Sequence, residues 1–126
     1  MGILRADRIT GLGGANAITG STFFAGTANT GNYLRIDTGG TEDFTFGTGD
    51  FTIEFWINSQ ASGFQQHPYD ARGTTNTNRL LIYMDTNNTM YYFASGGARI
   101  TSSSALPKDE WVHFALVRAS GSTKMY

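Results

Sequence analysis

Between Phe51 and Ile57 the apolar side chains fall on every second position, Phe51, Ile53, Phe55 and Ile57, with Thr52, Glu54 and Trp56 between them. An extended chain sends successive side chains to opposite faces, so this spacing predicts a strand with one buried and one more polar face. Similar short runs recur at Thr22–Phe24, Asn32–Ile36, Arg79–Met84, Met90–Phe93, Arg99–Thr101 and Trp111–Arg118, each closed by Gly, Asn, Ser or Pro clusters. No window sustains the i, i+3, i+4 spacing of an amphipathic helix. Seven or more short strands, joined by turn-forming sequences such as Gly39-Gly40, Asp85-Thr86-Asn87-Asn88 and Gly96-Gly97, predict an all-β antiparallel fold, a two-sheet sandwich rather than a barrel. In Trp111–Arg118 both alternating sets are partly apolar, Val112/Phe114/Leu116 and Trp111/His113/Ala115/Val117. That strand is expected at the centre of a sheet, covered at least in part on both sides. Which set faces inward stays open.

A chain of 126 residues suits one domain whose core needs neither metal nor disulfide. Hydrophobic residues at 40% and aromatics at 13%, with only two prolines, are too many for a disordered chain. Nine basic residues against ten acidic give a net charge of −1, and no run of Lys or Arg makes the positive stripe that nucleic acid requires. The absence of Cys excludes disulfides, thiolate nucleophiles and Cys-ligated zinc. The longest apolar run, Leu80 to Met84, is too short to cross a bilayer, so no membrane partner is expected. Residues 1–20 stand apart: Arg5, Asp7 and Arg8 interrupt any apolar stretch of the kind a secretory signal has, and Gly11, Gly13, Gly14 and Gly20 accompany apolar residues of no fixed period. This segment is expected to be an N-terminal arm, packed either on its own sandwich or on a neighbouring subunit, with residues 21–126 forming the sandwich.

Two segments carry a family resemblance: Phe46-Gly47-Thr48-Gly49-Asp50-Phe51-Thr52-Ile53-Glu54-Phe55-Trp56-Ile57, and Trp111-Val112-His113-Phe114-Ala115-Leu116-Val117-Arg118. Together with the intervening Tyr69-Asp70-Ala71-Arg72-Gly73, they resemble the laminin-G/concanavalin-A-like domains, which implies an antiparallel two-sheet jelly-roll sandwich. In that family the second motif leads through a hairpin into a strand ending "VNG" and then into further strands. Here Gly121-Ser122 turns the chain and Thr123-Lys124-Met125-Tyr126 begins the return, where the sequence stops. The expectation is therefore a sandwich incomplete at its C-terminal end, completed by further chain or by another subunit. The lead-in ADRITGLGGANAITGS, joined to such a sandwich, is similar to virion proteins of tailed bacteriophages, notably those of marine cyanobacteria. That similarity implies a structural protein of the particle exterior, a tail fibre, appendage or capsid decoration assembled in the host cytoplasm. Its partners would be other virion proteins or copies of itself, and host-surface glycans. The rival reading is an extracellular carbohydrate-binding or adhesion module of a larger secreted bacterial protein.

Catalytic chemistry finds no residue set. Glycan cleavage on such a fold needs two carboxylates flanking the scissile bond, whereas the neighbours of Glu54 on its own strand face are Thr52 and Trp56. The two histidines, His67 and His113, stand near no Gly-x-Ser-x-Gly nucleophile motif, and Gly11-x-Gly13-Gly14 lacks the strand–helix context or the Lys of a phosphate loop. The chain is expected not to be an enzyme. Asp85, Asn87 and Asn88 share a loop whose oxygens suit calcium, although the same residues suit a tight turn; Asp70 is a second such candidate. For a glycan, which stacks C–H faces on aromatic rings and bonds its hydroxyls to polar groups, the candidates are Trp56, Tyr69, Arg72, Tyr91 and Tyr92. Arg72 has the competing option of pairing with Asp70 to fix a turn.

Overall fold

The computed structural model describes residues 46–60, 63–72 and 80–126, with Phe24 and Tyr33 besides. The chain divides into two compact units, Met1–Tyr33 and Leu34–Tyr126, and every strand below belongs to the second. The arm at residues 1–20 lies outside the described residues, as do the strands expected at Thr22–Phe24 and Asn32–Ile36 apart from Phe24 and Tyr33 themselves. Among the described residues there is no helix, hence none long and apolar enough to cross a membrane.

Among the described residues seven strands follow in order: β1 (Phe51–Asn58), β2 (Gln66–Asp70), β3 (Leu81–Met84), β4 (Thr89–Ala94), β5 (Gly97–Ala105), β6 (Trp111–Ala119) and β7 (Ser122–Met125). They form two antiparallel sheets, one ordered β1-β6-β7 and the other β2-β3-β4-β5, so the expected two-sheet all-β sandwich is what the chain builds. The strand with two partly apolar faces, β6, is central in its sheet, paired with β1 on one side and β7 on the other. The buried core joins Leu80, Ile82, Met84 and Met90 from one sheet to Phe114 and Leu116 from the other, with Phe51, Ile53, Phe55, Tyr69, Tyr92, Ile100 and Met125 packed around it. Phe55 stacks on Phe114 at 4.9 Å between ring centroids, at directly paired positions of β1 and β6. The inward set of β6 is therefore Phe114 and Leu116, which leaves Trp111, His113, Ala115 and Val117 on the outer face.

Turn chemistry fixes the hairpins. Between β3 and β4, the Asn88 N–H donates to the Asp85 carbonyl and the Asp85 N–H to the Thr89 carbonyl, with Asn88 in the left-handed region at φ 64°. The β4–β5 and β6–β7 hairpins turn on Ser95-Gly96 (φ 49° and 76°) and Ser120-Gly121 (φ 50° and 81°), pairs of positive φ that match the strand twist of tight hairpins. The strand β2 departs from the sequence expectation, which had no strand there. Its Pro68 lacks an N–H, and it is tolerated because β2 is the edge strand of its sheet among the described residues, with a register irregularity between Gln66 and Tyr69.

Candidate functional site

The outer face of the β1-β6-β7 sheet carries large aromatic side chains that the core does not claim. Trp56 is 65% exposed, Trp111 51% and Tyr126 69%. Trp is ordinarily among the more buried residues, and several exposed on one face signal a contact surface. The register explains their grouping. Trp56 pairs with His113 across β1 and β6, Asn58 pairs with Trp111, and Glu54 pairs with Ala115. Tyr126 continues β7 by exchanging hydrogen bonds with Ala115, its N–H donating to the Ala115 carbonyl at 2.9 Å and its carbonyl accepting the Ala115 N–H at 3.1 Å. One cross-strand row thus reads Glu54, Ala115, Tyr126, and the next sets Trp56 beside His113.

The polar groups on this face are placed among the rings. The Trp56 and His113 rings lie 5.2 Å apart at 45°, and His113 Nε2 lies 3.5 Å from Glu54 Oε2. Ala115, buried yet outside the core cluster, is a small floor between Glu54 and Tyr126. Next to it Val117, Ala119, Ser122, Lys124 and Tyr126 line a shallow depression of about 220 Å³. Such a face can take the apolar C–H side of a sugar ring on indole and phenol, with the Glu54 carboxylate, the His113 imidazole and the Lys124 ammonium available to hydroxyls.

The other glycan candidates fall elsewhere. Tyr69 and Tyr92 pack against the core, and burial pushes the Tyr69 phenol up in pKa while its hydroxyl is buried without a hydrogen-bond partner. Tyr91 sits on the four-stranded sheet, stacked on Tyr83 at 4.7 Å and 6°, and its hydroxyl donates to Asp85 Oδ2 at 3.3 Å. Arg72 grips Asp70 through Nε to Oδ1 at 2.9 Å and Nη2 to Oδ2 at 2.7 Å, with its backbone N–H also on Oδ1. Burial works against ionisation of Asp70, but these Arg72 bonds outweigh it and hold its carboxyl below the usual range. Beside that pair, burial first and the Arg72 charge second lower the His67 pKa, against the pull of Asp70 at 3.8 Å. The five candidates are therefore not brought together: Trp56 alone stands on the aromatic face.

The calcium candidates serve the β3–β4 turn. Asp85 Oδ1 accepts the Asn87 and Thr89 N–H groups at 2.9 Å each and Oδ2 accepts from Tyr91; the Thr89 bond leads in lowering the Asp85 pKa. Asn88 is buried with Oδ1 unpartnered, and Asn87 is exposed. Among the described residues no group of three His, Asp or Glu side chains gathers. One carboxylate already engaged by three donors does not fit calcium, which takes six to eight oxygens.

Trp111, His113 and Tyr126 were not among the sequence candidates for a ligand. The available signal was the alternation of β1 itself, which puts Trp56 in the polar set with Thr52 and Glu54, on the face opposite Phe51, Ile53, Phe55 and Ile57. A family model described as Laminin_G_3, the concanavalin A-like lectin/glucanases superfamily, matches residues 28–126. The chain belongs to this family. No curated protein and no solved structure matches it significantly. Both motifs of the family resemblance thus lie within the matched span, and each forms one of the two strands that meet under the aromatic face.

Proposed function

We propose that the chain is a non-catalytic binding and assembly module that takes glycans on the Trp56/Trp111/His113 face. The observation that carries this reading is the pair of tryptophans, each more than half exposed on one sheet face beside an imidazole and a carboxylate. Membership in a family of lectin-like domains supports it, carbohydrate binding being frequent there. The same superfamily includes glucanases, but Glu54 has the His113 imidazole 3.5 Å away and Ala115 as its cross-strand partner. Retaining and inverting hydrolysis both use two carboxyl groups, about 5–9.5 Å apart, so this face supports binding rather than cleavage.

The setting we propose is the exterior of a bacteriophage particle, as a tail fibre, appendage or capsid decoration assembled in the host cytoplasm, packed on other virion proteins or copies of itself. What supports it is the lead-in ADRITGLGGANAITGS joined to a lectin-like sandwich. Recovery of its peptides from purified particles at structural abundance is the expected result, and their absence overturns the setting without touching the binding reading. For binding, wild-type protein and the variants W56A and W111A are run through polysaccharide-loaded affinity gels. Retention of the wild type by at least one neutral glycan, weakened about tenfold or more in each variant, is expected. Unchanged retention in both variants refutes the site.

A further inference from the structure

The inner face of β6 ends in Arg118, which follows Phe114 and Leu116 on the core side and is half-buried. Its Nε lies 3.3 Å from the Thr48 carbonyl, and its Nη1 lies 3.3 Å from the Gly121 carbonyl and 3.4 Å from Thr123 Oγ1. Across the gap between the sheets, Arg99 of β5 folds back over the Ser95-Gly96 turn, donating from Nε to the Ala94 carbonyl at 2.9 Å and from Nη2 to the Ser95 carbonyl at 3.0 Å. Both arginines line one cavity of about 370 Å³, shared with Tyr92, Ile100, Ser95 and Thr123.

Both guanidinium groups border the same open depression, Arg118 half-buried and Arg99 exposed. Among the described residues neither makes an ion pair with a carboxylate; Asp50, on the loop entering β1, accepts the Ser120 N–H instead. Carbonyl oxygens hold both side chains in place without neutralising them. A guanidinium has five N–H donors. The bonds above leave Nη1 of Arg99 and Nη2 of Arg118 without a described partner. Paired, planar, always-charged donors match the oxygens of a carboxylate or sulfate better than any neutral group. The remaining wall is mixed: Tyr92 and Ile100 offer an apolar surface, Ser95 and Thr123 hydroxyls. The volume lies at the small end of ligand pockets, which run from about 300 to 1,000 Å³.

We propose that this cavity binds the anionic substituent, carboxylate or sulfate, of an acidic sugar, with Arg99 and Arg118 on the anion and Tyr92 against the ring. The proposal rests on the glycan-binding reading for its choice of a sugar, but it uses Arg118 on the opposite face of the tryptophans' sheet together with Arg99 and Tyr92 of the other sheet. The test is amide-shift titration of the full 126-residue chain with glucuronate and with a sulfated glucose, glucose serving as neutral control. Shifts at Ser95, Arg99 and Thr123 with either acidic sugar and not with glucose are expected. They should weaken at least tenfold in R99Q, less in R99K, and fall when salt is raised from about 20 to about 200 mM. Arg118→Lys keeps the charge but loses the fork, and weakened binding in a folded variant is expected there too. Which acidic sugar binds more tightly assigns the anion to carboxylate or sulfate.

Equal response to glucose and the acidic sugars, or R99Q binding as the wild type does, overturns the proposal. If W56A abolishes retention by neutral glycans while R99Q leaves glucuronate binding intact, this proposal fails and the tryptophan face stands. The reverse pattern removes the tryptophan face and keeps the arginine cavity.

Discussion

Everything placed on the outer face depends on the β6 register, and a one-residue slip would exchange its two faces. The pair L116A and V117A tests it. Leu116 is fully buried on the central strand, in contact with the core cluster, whereas Val117 belongs to the outer set and is half-buried. Shortening Leu to Ala removes about three methylene equivalents, at ~0.8 kcal/mol each about 2.4 kcal/mol of transfer free energy. The cavity left behind in a sandwich pinned by strands on both sides raises this to about 3–4 kcal/mol. Val117→Ala removes two carbons that are already partly hydrated, at a cost of about 0.5–1 kcal/mol. A chain of this length has a total stability of roughly 6–19 kcal/mol, so both variants should remain measurable. With a urea m-value near 2 kcal/mol/M, the midpoint should fall by about 1.5–2 M for L116A and by less than about 0.5 M for V117A. The volume-conserving L116M should lose under ~1.5 kcal/mol, which separates the loss of packing from mere alteration of the residue. A midpoint shift for V117A equal to or larger than that for L116A would refute the assignment of faces, and with it the exposure of Trp111 and His113.

Other consequences follow from the turns and the titrating groups. Asp70 and Asp85 both have folded-state pKa values below their ordinary 3.8, so the stability they contribute is fully present above that value and is lost as pH falls through the lower, folded value. Urea midpoints measured between about pH 5 and pH 2 should therefore decline less steeply in D85N than in the wild type, from a lower starting point at pH 5; parallel curves would contradict the role of Asp85 as the turn's acceptor. Ser120 sits at φ 50° in the first central position of the β6–β7 turn, where Asn is better tolerated, so S120N should raise the melting temperature by a few degrees, about 0.5–1 kcal/mol, and a lowered value would speak against the turn geometry.

The strand content was legible because alternation is a local property. Phe51, Ile53, Phe55 and Ile57 could face only one way together, and the two apolar sets of Trp111–Arg118 announced a central strand. Pairing is not local, and what depends on it was hidden. That His113 sits beside Trp56 follows from the β1–β6 register, which no single strand encodes. Tyr69 and Tyr92 look like Tyr91 in the sequence, yet they take the core side while Tyr91 takes the outer one, because a strand's aromatic residues are assigned only when its facing is known. The strand β2 was obscured by Pro68 and its polar neighbours, a composition tolerated only at an edge. The turn centres fell one residue earlier than Gly96-Gly97 and Gly121-Ser122 suggested, since Ser95 and Ser120 take the first left-handed position and leave Gly96 and Gly121 the second.

The strand β6 shows why the residues proposed for binding and the core residues can coexist without conflict. Its inward set, Phe114 and Leu116, contributes packing that any substitution disturbs, whereas Trp111 and His113 on the other side touch mainly solvent and their cross-strand neighbours. Changing the outer set should cost little stability, so under the proposed reading this face can vary in what it recognises while the sandwich stays the same. Arg118 breaks that separation. It follows Phe114 and Leu116 on the inward side but is only half-buried, its guanidinium held by exposed hydrogen bonds to the Thr48 and Gly121 carbonyls. Long and half-buried, with Nη2 unengaged among the described bonds and Tyr92 and Ile100 lining the same depression, it is the inward residue that the proposed acidic-sugar site draws on, so R118K tests that site more directly than it tests the core.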